Sequence, residues 1–321
     1  MTEPSNAPMI VLAGPTASGK SALGIAIAEK VNGTIINADS MQVYRDLRVL
    51  TARPTDDEMR RVPHRLYGVL DGASHGTAAV WVDLAKQAIA ETVAEGRVPI
   101  LLGGTGMYLR SLFEGLAEIP PIPAEIRAAA RGKLAEEGAA GLHAALTVAD
   151  PETAAGLKPG DSQRLMRAWE VLQATGRGLA AWQAAPASPG LPNPVFRLLL
   201  QPPRDRLYAW IDRRFEGMIA AGALEEAKAV LARTDIPNDA PMRKAHGLPE
   251  LIQYLKGEIS RDEAIRVGQL NTRHYAKRQT TWFRHQFSPD LVVEKDLSQQ
   301  ENFNLEAEIF PFIVRYLLTA R

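Results

Sequence analysis

A glycine-rich segment between an apolar run and a helical pattern is the feature that most constrains the fold. The segment Gly14–Ser21 reads GPTASGKS and matches the pattern GxxxxGK[ST]. The apolar run Met9–Ala13 precedes it, and a helical pattern from Lys20 to Lys30 follows it. A strand, a glycine-rich turn and a helix in this order are typical of a loop whose backbone N–H groups surround a phosphate.

Each residue of this loop is a candidate contact for a diphosphate or polyphosphate. The glycines let the backbone curl, the Lys20 ammonium can neutralise phosphate oxygens, and the Ser21 hydroxyl can ligate Mg²⁺. A glycine-rich turn without a ligand is the alternative, and the pattern does not identify the phosphate compound. The candidate contacts are Gly14, Pro15, Thr16, Ala17, Ser18, Gly19, Lys20 and Ser21.

Further strand signals indicate the fold class. Apolar or β-branched runs predict strands at Thr34–Asn37, Val98–Leu102 and Val195–Gln201, and a helical pattern at Val80–Glu95 lies between the first two. Strands that alternate with helices favour a parallel sheet. The predicted fold is therefore α/β, a P-loop NTPase-like parallel sheet flanked by helices.

The middle of the chain has a different character. Strand signals disappear between residues 116 and 194, where Ala, Glu and Arg dominate. We predict that residues 1–115 and 195–321 form the catalytic core and that 116–194 is a mostly helical insertion. The C-terminal part from Asp205 onward is also predicted to be helical.

The composition excludes several classes of protein. Without cysteine the chain has no disulfides, thiolate zinc sites or cysteine nucleophiles. Its 37 basic and 37 acidic residues cancel, so only a local basic face could bind nucleic acid. No apolar run approaches the roughly 18–20 residues that span a bilayer. The N-terminus does not resemble a signal peptide, so we expect a cytoplasmic protein.

Asp39 follows the second predicted strand. Ligands of an open parallel sheet lie beyond the carboxyl ends of its strands, so Asp39 is expected to face the phosphate loop. A carboxylate there could act as a general base or bind Mg²⁺ through water. The alternative is a helix N-cap, a position that Asp favours.

A second glycine turn, Gly103–Tyr108, follows the third predicted strand. Its glycines allow the backbone to approach a ligand closely, and Thr105 offers a hydroxyl. A tight strand–helix connection without a ligand is the alternative. The expected proximity of this turn to the phosphate loop and Asp39 favours a functional role.

Two segments carry basic residues suited to RNA. Gln163 and Arg167 lie one helical turn apart and would share a face. Residues 266–286 contain no acidic residue, and basic side chains recur there at spacings of seven and four. Such a stripe, with aromatic residues between, can follow a phosphate backbone, although a solvated helix face is the alternative. The stripe comprises Arg266, Arg273, Lys277 and Arg284.

Taken together, these motifs resemble the bacterial tRNA dimethylallyltransferases, also called isopentenyl-diphosphate:tRNA transferases, over nearly the whole chain. The phosphate loop is common to many NTPases, but DSMQVY, GGTGMY and AKRQTTWFR in this order are specific. The matching segments are Gly14–Ser21, Asp39–Tyr44 (DSMQVY), Thr51–Pro54 (TARP), Gly103–Tyr108 (GGTGMY), Asp161–Glu170 (DSQRLMRAWE), Ile211–Met218 (IDRRFEGM) and Thr272–Arg284 (TRHYAKRQTTWFR).

The resemblance implies a prenyltransferase. Members of the family move a dimethylallyl group from its diphosphate to the N6 amine of the adenosine just 3′ of a tRNA anticodon. Their phosphate loop holds dimethylallyl diphosphate rather than ATP. By resemblance, Thr16–Ser21 would bind the diphosphate with Ser21 near Mg²⁺, and Arg214 would help to hold it.

The resemblance also implies the tRNA contacts. Asp39 would accept a hydrogen bond or proton from the adenine N6 amine, and Thr105 would lie beside the reacting groups. The basic stripe adds Arg273 and Lys277 as candidate tRNA contacts. The other implied contacts are Ser40, Met41, Gln42, Arg127, Gln163, Arg164, Leu165, Met166 and Arg167.

Three positions depart from the family pattern. Arg53 replaces the usual lysine, Trp210 replaces an arginine, and Ala245–Glu250 reads AHGLPE where AIGYKE is common. The absence of cysteine excludes the C-terminal zinc finger of eukaryotic relatives, so a bacterial form is favoured. The resemblance also implies a monomer.

Two other functions are compatible with parts of the sequence. A P-loop small-molecule kinase would share the loop, the sheet and Asp39, but would not need the basic stripe with its aromatic residues. A non-catalytic RNA-binding module regulated by a nucleotide would leave the carboxylate that faces the loop without a role.

Overall fold

A six-stranded parallel sheet forms the centre of the computed structural model, which describes residues 7–185, 188–294 and 305–320. The strand order is β3-β2-β4-β1-β5-β6. All the paired strands run parallel. The strands are β1 (Met9–Ala13), β2 (Gly33–Asn37), β3 (His64–Arg65), β4 (Val98–Gly103), β5 (Val195–Leu200) and β6 (Leu291–Val293).

Helices connect and cover these strands. A 3₁₀ helix spans Pro241–Lys244. The α-helices of the described residues are α1 (Lys20–Val31), α2 (Asp56–Arg61), α3 (Ala78–Ala94), α4 (Gly106–Glu114), α5 (Ala124–Ala149), α6 (Pro151–Ala155), α7 (Ser162–Thr175), α8 (Leu179–Ala184), α9 (Arg204–Ala220), α10 (Ala223–Ala232), α11 (Leu248–Leu255), α12 (Arg261–Gln286), α13 (Leu305–Glu308) and α14 (Phe310–Thr319).

The central strands are buried on both faces. Every residue of β1 and β2 is buried, because helices cover a parallel sheet on both sides. Ile10 and Leu12 of β1 pack in one core with Leu23 and Ile27 of α1. The predicted α/β fold and its four predicted strands are confirmed. The sequence did not reveal β3 and β6, because two and three residues are too short to show a periodic pattern.

The topology brings three loops to one edge of the sheet. Strands β2, β4 and β1 are neighbours, with Ala13 opposite Gly103 and Asn37 opposite Leu102. The phosphate loop, Asp39 and the second glycine turn follow the carboxyl ends of these strands. Their expected proximity is therefore a direct result of the strand order.

The chain divides into two compact units, Met1–Leu112 with Leu191–Arg321, and Phe113–Gly190. The insertion predicted from the sequence covers 116–194. The second unit is helical in its described residues, and its core includes Leu142 and Leu146 of α5 and Leu165 of α7. None of the helices in the described ranges combines the length and apolar character that crossing a membrane requires.

Candidate active site

The phosphate loop has a shape that its glycines make possible. Gly14 has φ +154°, and a Cβ there would lie 2.6 Å from the Leu200 carbonyl oxygen, so a side chain is excluded. The Ser18 amide donates to the Pro15 carbonyl at 3.3 Å and closes the turn. The Lys20 ammonium folds back over the loop and donates to the same carbonyl at 2.5 Å.

Lys20 has an unusual electrostatic environment. Desolvation by burial lowers the pKa of Lys20 to about 7, Asp39 opposes this shift, and Arg214 adds to it. A phosphate anion in the loop would favour the charged ammonium, because an opposite charge nearby stabilises it. The loop is therefore able to gain a proton when it binds an anion.

Arg214 brings a second cation to the loop from α9. Its guanidinium donates to the Thr16 hydroxyl. Burial lowers the pKa of Arg214, while Asp39 raises it. Two cations and one carboxylate thus influence one another electrostatically at the carboxyl edge of the sheet.

Asp39 is held by its neighbours in a tight turn rather than at the start of a helix. Its Oδ1 accepts from the Met41 amide at 2.9 Å. Buried Asn37 accepts from the Asp39 amide at 2.9 Å and donates to the Asp39 carbonyl at 3.0 Å. The segment that follows consists of turns until α2 begins at Asp56. The helix-cap interpretation of Asp39 is therefore wrong, since no helix begins there.

Thr105 connects the second glycine turn to the segment that carries Asp39. Its hydroxyl accepts from the Ser40 amide at 2.9 Å and donates to the Ser40 hydroxyl at 3.3 Å. The Tyr275 hydroxyl of α12 lies next to the Thr105 side chain, and burial raises the pKa of Tyr275. The two predicted loops and α12 thus meet at Thr105.

One pocket is lined by several of these groups. Its polar wall includes Thr16, Asp39 and Arg214, and its apolar wall includes Ile211 and Phe215 from the same helix as Arg214. Spacings of three and four residues place the α9 side chains on one face. The other lining residues are Ser40, Met41, Leu50, Thr51, Met218, Lys244, Ala245, His246, Thr272 and Tyr275.

Comparison with known proteins decides the family. Residues 42–286 match the family model described as IPP transferase. The chain belongs to this family. It is 52% identical over 278 residues to the tRNA dimethylallyltransferase of Rhodopseudomonas palustris, which covers 86% of each chain. The resemblance inferred from the sequence motifs is thereby confirmed.

Solved structures support the same family and fold. The full-length tRNA isopentenylpyrophosphate transferase from Bacillus halodurans superposes with a TM-score of 0.69 at 32% identity, covering 98% of each chain. A eukaryotic dimethylallyltransferase acting on tRNA gives a TM-score of 0.79 at 25% identity, covering 98% of this chain and 80% of the other. Neither the family match nor these relatives favour the small-molecule kinase.

The three departures from the IPP transferase pattern each have a distinct local environment. Arg53 donates to the Tyr44 and Arg45 carbonyls at 3.3 and 3.2 Å, so it braces the Asp39–Tyr44 segment. His246 lines the pocket with its ring 4.5 Å from the Tyr275 ring. Burial lowers the pKa of His246, and nearby Arg278 lowers it further. Trp210 packs beside the apolar cluster of α9 and α12.

Gln42 has a structural task that its motif did not suggest. Its amide nitrogen donates to the Thr51 and Ala52 carbonyls at 2.8 and 3.0 Å. The amide nitrogen of Gln42, a residue that the resemblance implies as a tRNA contact, is therefore engaged with the backbone here. Ser40 and Met41, by contrast, line the pocket.

The basic stripe on α12 is partly neutralised by acids outside residues 266–286. Arg273 forms an ion pair with Asp212 of α9 at 2.6 Å, and Arg266 pairs with Glu263 at 2.7 Å. Lys277 and Arg284 are exposed and make no ion pair within the described ranges. Residues 266–286 themselves contain no acid, but α9 and the first turn of α12 supply acidic partners for two of the four basic residues of the stripe.

The helical unit contains the remaining predicted tRNA contacts. Arg164 lies 3.5 Å from Asp161, and Arg167 lies 3.8 Å from Glu170. Burial lowers the pKa of Arg167, Glu170 opposes this decrease, and nearby Arg127 adds to it. Gln163 is exposed, and Met166 is partly buried against the core. Leu165 is fully buried in that core, which leaves its side chain no surface for an RNA contact.

Sequence reasoning missed three polar residues at the site. Asn37 positions Asp39, and Tyr275 contacts Thr105. Gln279 accepts from the Thr16 amide at 2.8 Å and donates to the Gly104 carbonyl at 2.8 Å. A polar residue at the end of an otherwise apolar strand could have indicated Asn37. The other two lie in the basic segment 266–286, where the recurring cations are the stronger pattern.

Proposed function

We propose that this chain transfers a dimethylallyl group from dimethylallyl diphosphate to the N6 amine of the adenosine 3′-adjacent to the anticodon of tRNA, which forms N6-(dimethylallyl)adenosine. One observation carries the proposal. A single pocket combines a phosphate-loop residue, a carboxylate and an apolar wall, represented by Thr16, Asp39 and Phe215. This combination suits an allylic diphosphate donor and a nucleophilic amine better than a sugar or shikimate substrate.

The donor side of the pocket matches a prenyl diphosphate. Loop amides, Lys20 and Arg214 neutralise the charge that develops on the leaving group. Ile211 and Phe215 offer the short hydrocarbon chain an apolar surface. In the reaction, the bond from carbon to diphosphate oxygen breaks, and diphosphate leaves with the electron pair.

The residues around the loop also fit Mg²⁺. Ser21 supplies one hard oxygen ligand at an exposed position, which suits an ion that keeps several waters and binds phosphate oxygens. No group of three or more His, Cys, Asp or Glu side chains in the described ranges is arranged to hold a metal. A bound Mg²⁺ would add positive charge beside the leaving diphosphate.

Asp39 is the proposed acceptor of the amine proton. A new bond forms between N6 and the allylic carbon, and the proton lost from N6 passes to the Asp39 carboxylate. Only one oxygen of Asp39 is engaged within the described residues, by the Met41 amide. The target base must leave its stack to reach such a pocket, as in other enzymes that modify bases.

Each unit, taken by itself, offers cations as proposed tRNA contacts. Lys277 and Arg284 are available on α12, and Arg127 and Arg167 lie near one another on the helical unit. Clustered cations contact the phosphate backbone and position an RNA without reading its sequence. The eukaryotic relative that acts on tRNA supports this choice of substrate.

The deciding experiment compares two donors. The protein is incubated with Mg²⁺ and unmodified tRNA, together with labelled dimethylallyl diphosphate or with γ-labelled ATP. We expect label in tRNA from the prenyl donor only, and a product nucleoside that carries the prenyl group on N6. Label transferred only from ATP would contradict the proposal and support the kinase. We also propose a monomer, which light scattering of the purified protein tests.

A further inference from the structure

We propose that Gln279 is a positioning residue that fixes the phosphate loop against the second glycine turn, and so sets the distance between the leaving group and the attacking amine. This inference rests on the proposed function, because its readout is the transfer step. Gln279 lies on α12, the helix that also carries the basic stripe.

Both ends of the Gln279 amide are engaged. Its carbonyl accepts from the Thr16 amide at 2.8 Å, and its nitrogen donates to the Gly104 carbonyl at 2.8 Å. The side chain is 5% exposed. A buried amide satisfied at both ends has little freedom to move, and losing either bond leaves a buried polar group without its partner.

Gly104 is small because Gln279 occupies the adjacent space. A Cβ at Gly104 would lie 2.2 Å from the Gln279 amide nitrogen and 3.0 Å from the Gly14 carbonyl oxygen. The phosphate loop and the second glycine turn therefore touch at this point, and Gln279 bridges them. An added methyl group would push on both the bridge and the loop.

The bridge connects the donor side with the acceptor side of the pocket. On the donor side, Gln279 holds the amide of Thr16, whose hydroxyl is held by Arg214. On the acceptor side, Gly104 precedes Thr105, which binds Ser40 next to Asp39. A displacement of the bridge thus changes the relative position of the two reacting groups.

The burial of Gln279 separates this role from direct RNA binding. Lys277, two residues earlier, is exposed, whereas Gln279 faces the sheet loops. Its bonds go to backbone groups of two loops that are 175 and 263 residues distant in sequence. The geometry points to alignment of the reactants and not to their affinity.

The first test replaces Gln279 by leucine, which has a similar size and makes neither hydrogen bond. We expect Gln279→Leu to lower the single-turnover rate at saturating donor and tRNA by about 10- to 100-fold, because small misplacements at a reacting centre have effects of this order. Donor and tRNA dissociation constants should stay within about threefold, since the charged contacts remain. Should this variant fail to fold, Gln279→Asn, one methylene shorter, replaces it with the same expectation.

The matched control is Thr92→Val. Thr92 is fully buried in α3 and makes one hydrogen bond, to the Ala88 carbonyl at 2.7 Å. Loss of this side-chain hydrogen bond in Thr92→Val should lower the melting temperature with no effect on the rate per folded molecule. A Gln279→Leu protein whose rate loss matches its loss of folded fraction would overturn the positioning role.

A double-mutant cycle examines the bridge itself. Gly104→Ala should slow transfer by about 10-fold or more, because the methyl group displaces the Gln279 side chain. In the Gln279→Ala background only the 3.0 Å contact with the Gly14 carbonyl oxygen remains, so Gly104→Ala should cost less there than in the parent protein. Additive losses would overturn the inference. Parental rates in the Gln279 variants would overturn it and leave the proposed function intact, whereas absence of transfer by the parent protein would overturn both.

Discussion

The two sides of the pocket are assembled in different ways. The phosphate side comes mainly from one continuous segment, Gly14–Ser21, whose backbone and Lys20 supply the chemistry. The acceptor side is a turn whose Asp39 depends on Asn37, Thr105 and, through Thr105, on Tyr275. One side of the pocket is therefore built mainly from a local motif, whereas the position of the Asp39 carboxylate depends on several elements of the fold.

Replacing Asp39 should have the largest effect. Removal of a positioned acid–base group costs about 10²–10⁴-fold in rate, so Asp39→Ala should lower kcat by that order while tRNA binding persists. Asp39→Asn is the matched control for the turn, because its side-chain oxygen can still accept from the Met41 amide. We expect this variant to be slow also, since an amide cannot take the proton.

Single-turnover prenylation beside melting curves checks this prediction. A near-parental rate for Asp39→Asn would show that Asp39 does not accept the proton. The acceptor side would then contribute only its shape. The contrast between the two sides of the pocket would then disappear.

Lys20→Ala should affect mainly the donor. Hydrogen bonds to charged groups contribute about 1.5–3 kcal/mol, so the dissociation constant of dimethylallyl diphosphate should rise about 10- to 100-fold. Calorimetric titration of the donor and, separately, of tRNA measures both affinities. An unchanged donor affinity would show that the loop amides and Arg214 are sufficient to bind the donor. A weakened tRNA affinity would show that the two sides of the pocket do not bind their ligands independently.

The pH dependence of donor binding also tests the contribution of the Lys20 charge. The pKa of Lys20 is about 7 before an anion binds, and a bound diphosphate raises it. Below pH 7 the ammonium is already charged, so affinity should be level. Above pH 7 the protein must take up a proton to bind, so affinity should fall by up to about tenfold per pH unit.

Lys20→Arg is the control for this titration, because a guanidinium stays charged over the whole range. We expect the fall above pH 7 to be absent in this variant. A fall in affinity of equal size in Lys20→Arg would show that the titration of Lys20 does not cause it.

The smallest expected effect is on the outer face of α12. Lys277→Glu should weaken tRNA binding and reduce the slope of log affinity against log salt by about one per lost phosphate contact. Donor binding should not change. Lys256→Glu, an exposed residue at the end of α11, is the matched control. Equal losses in both variants would indicate a general charge effect and not a contact of α12.

The sequence predicted the parts of the molecule that depend on local pattern. The strand before Gly14, the helix after it and the positions of Asp39 and Thr105 at the sheet edge follow from short apolar runs and strand order. Arg214, which the resemblance implies as a diphosphate contact, lies against Thr16 of the phosphate loop.

The remainder depends on contacts between distant segments. Gln279 lies 263 residues from Thr16, and Asp212 lies 61 residues from Arg273. No periodicity in the sequence reports such pairings. The backbone hydrogen bonds of Gln42 could not be predicted either, since its partners become neighbours only when the following turn folds.

The hydrogen bond from the Thr16 amide to Gln279 also bears on which phosphate compounds the loop can bind. A phosphate loop that offers all its amides can cradle a long polyphosphate, and nucleoside triphosphates are abundant competitors for such a loop. Here one donor is withdrawn by the protein itself. The loop is left with one amide donor fewer for a chain of three phosphates, so we expect it to bind nucleoside triphosphates more weakly than the motif alone suggests.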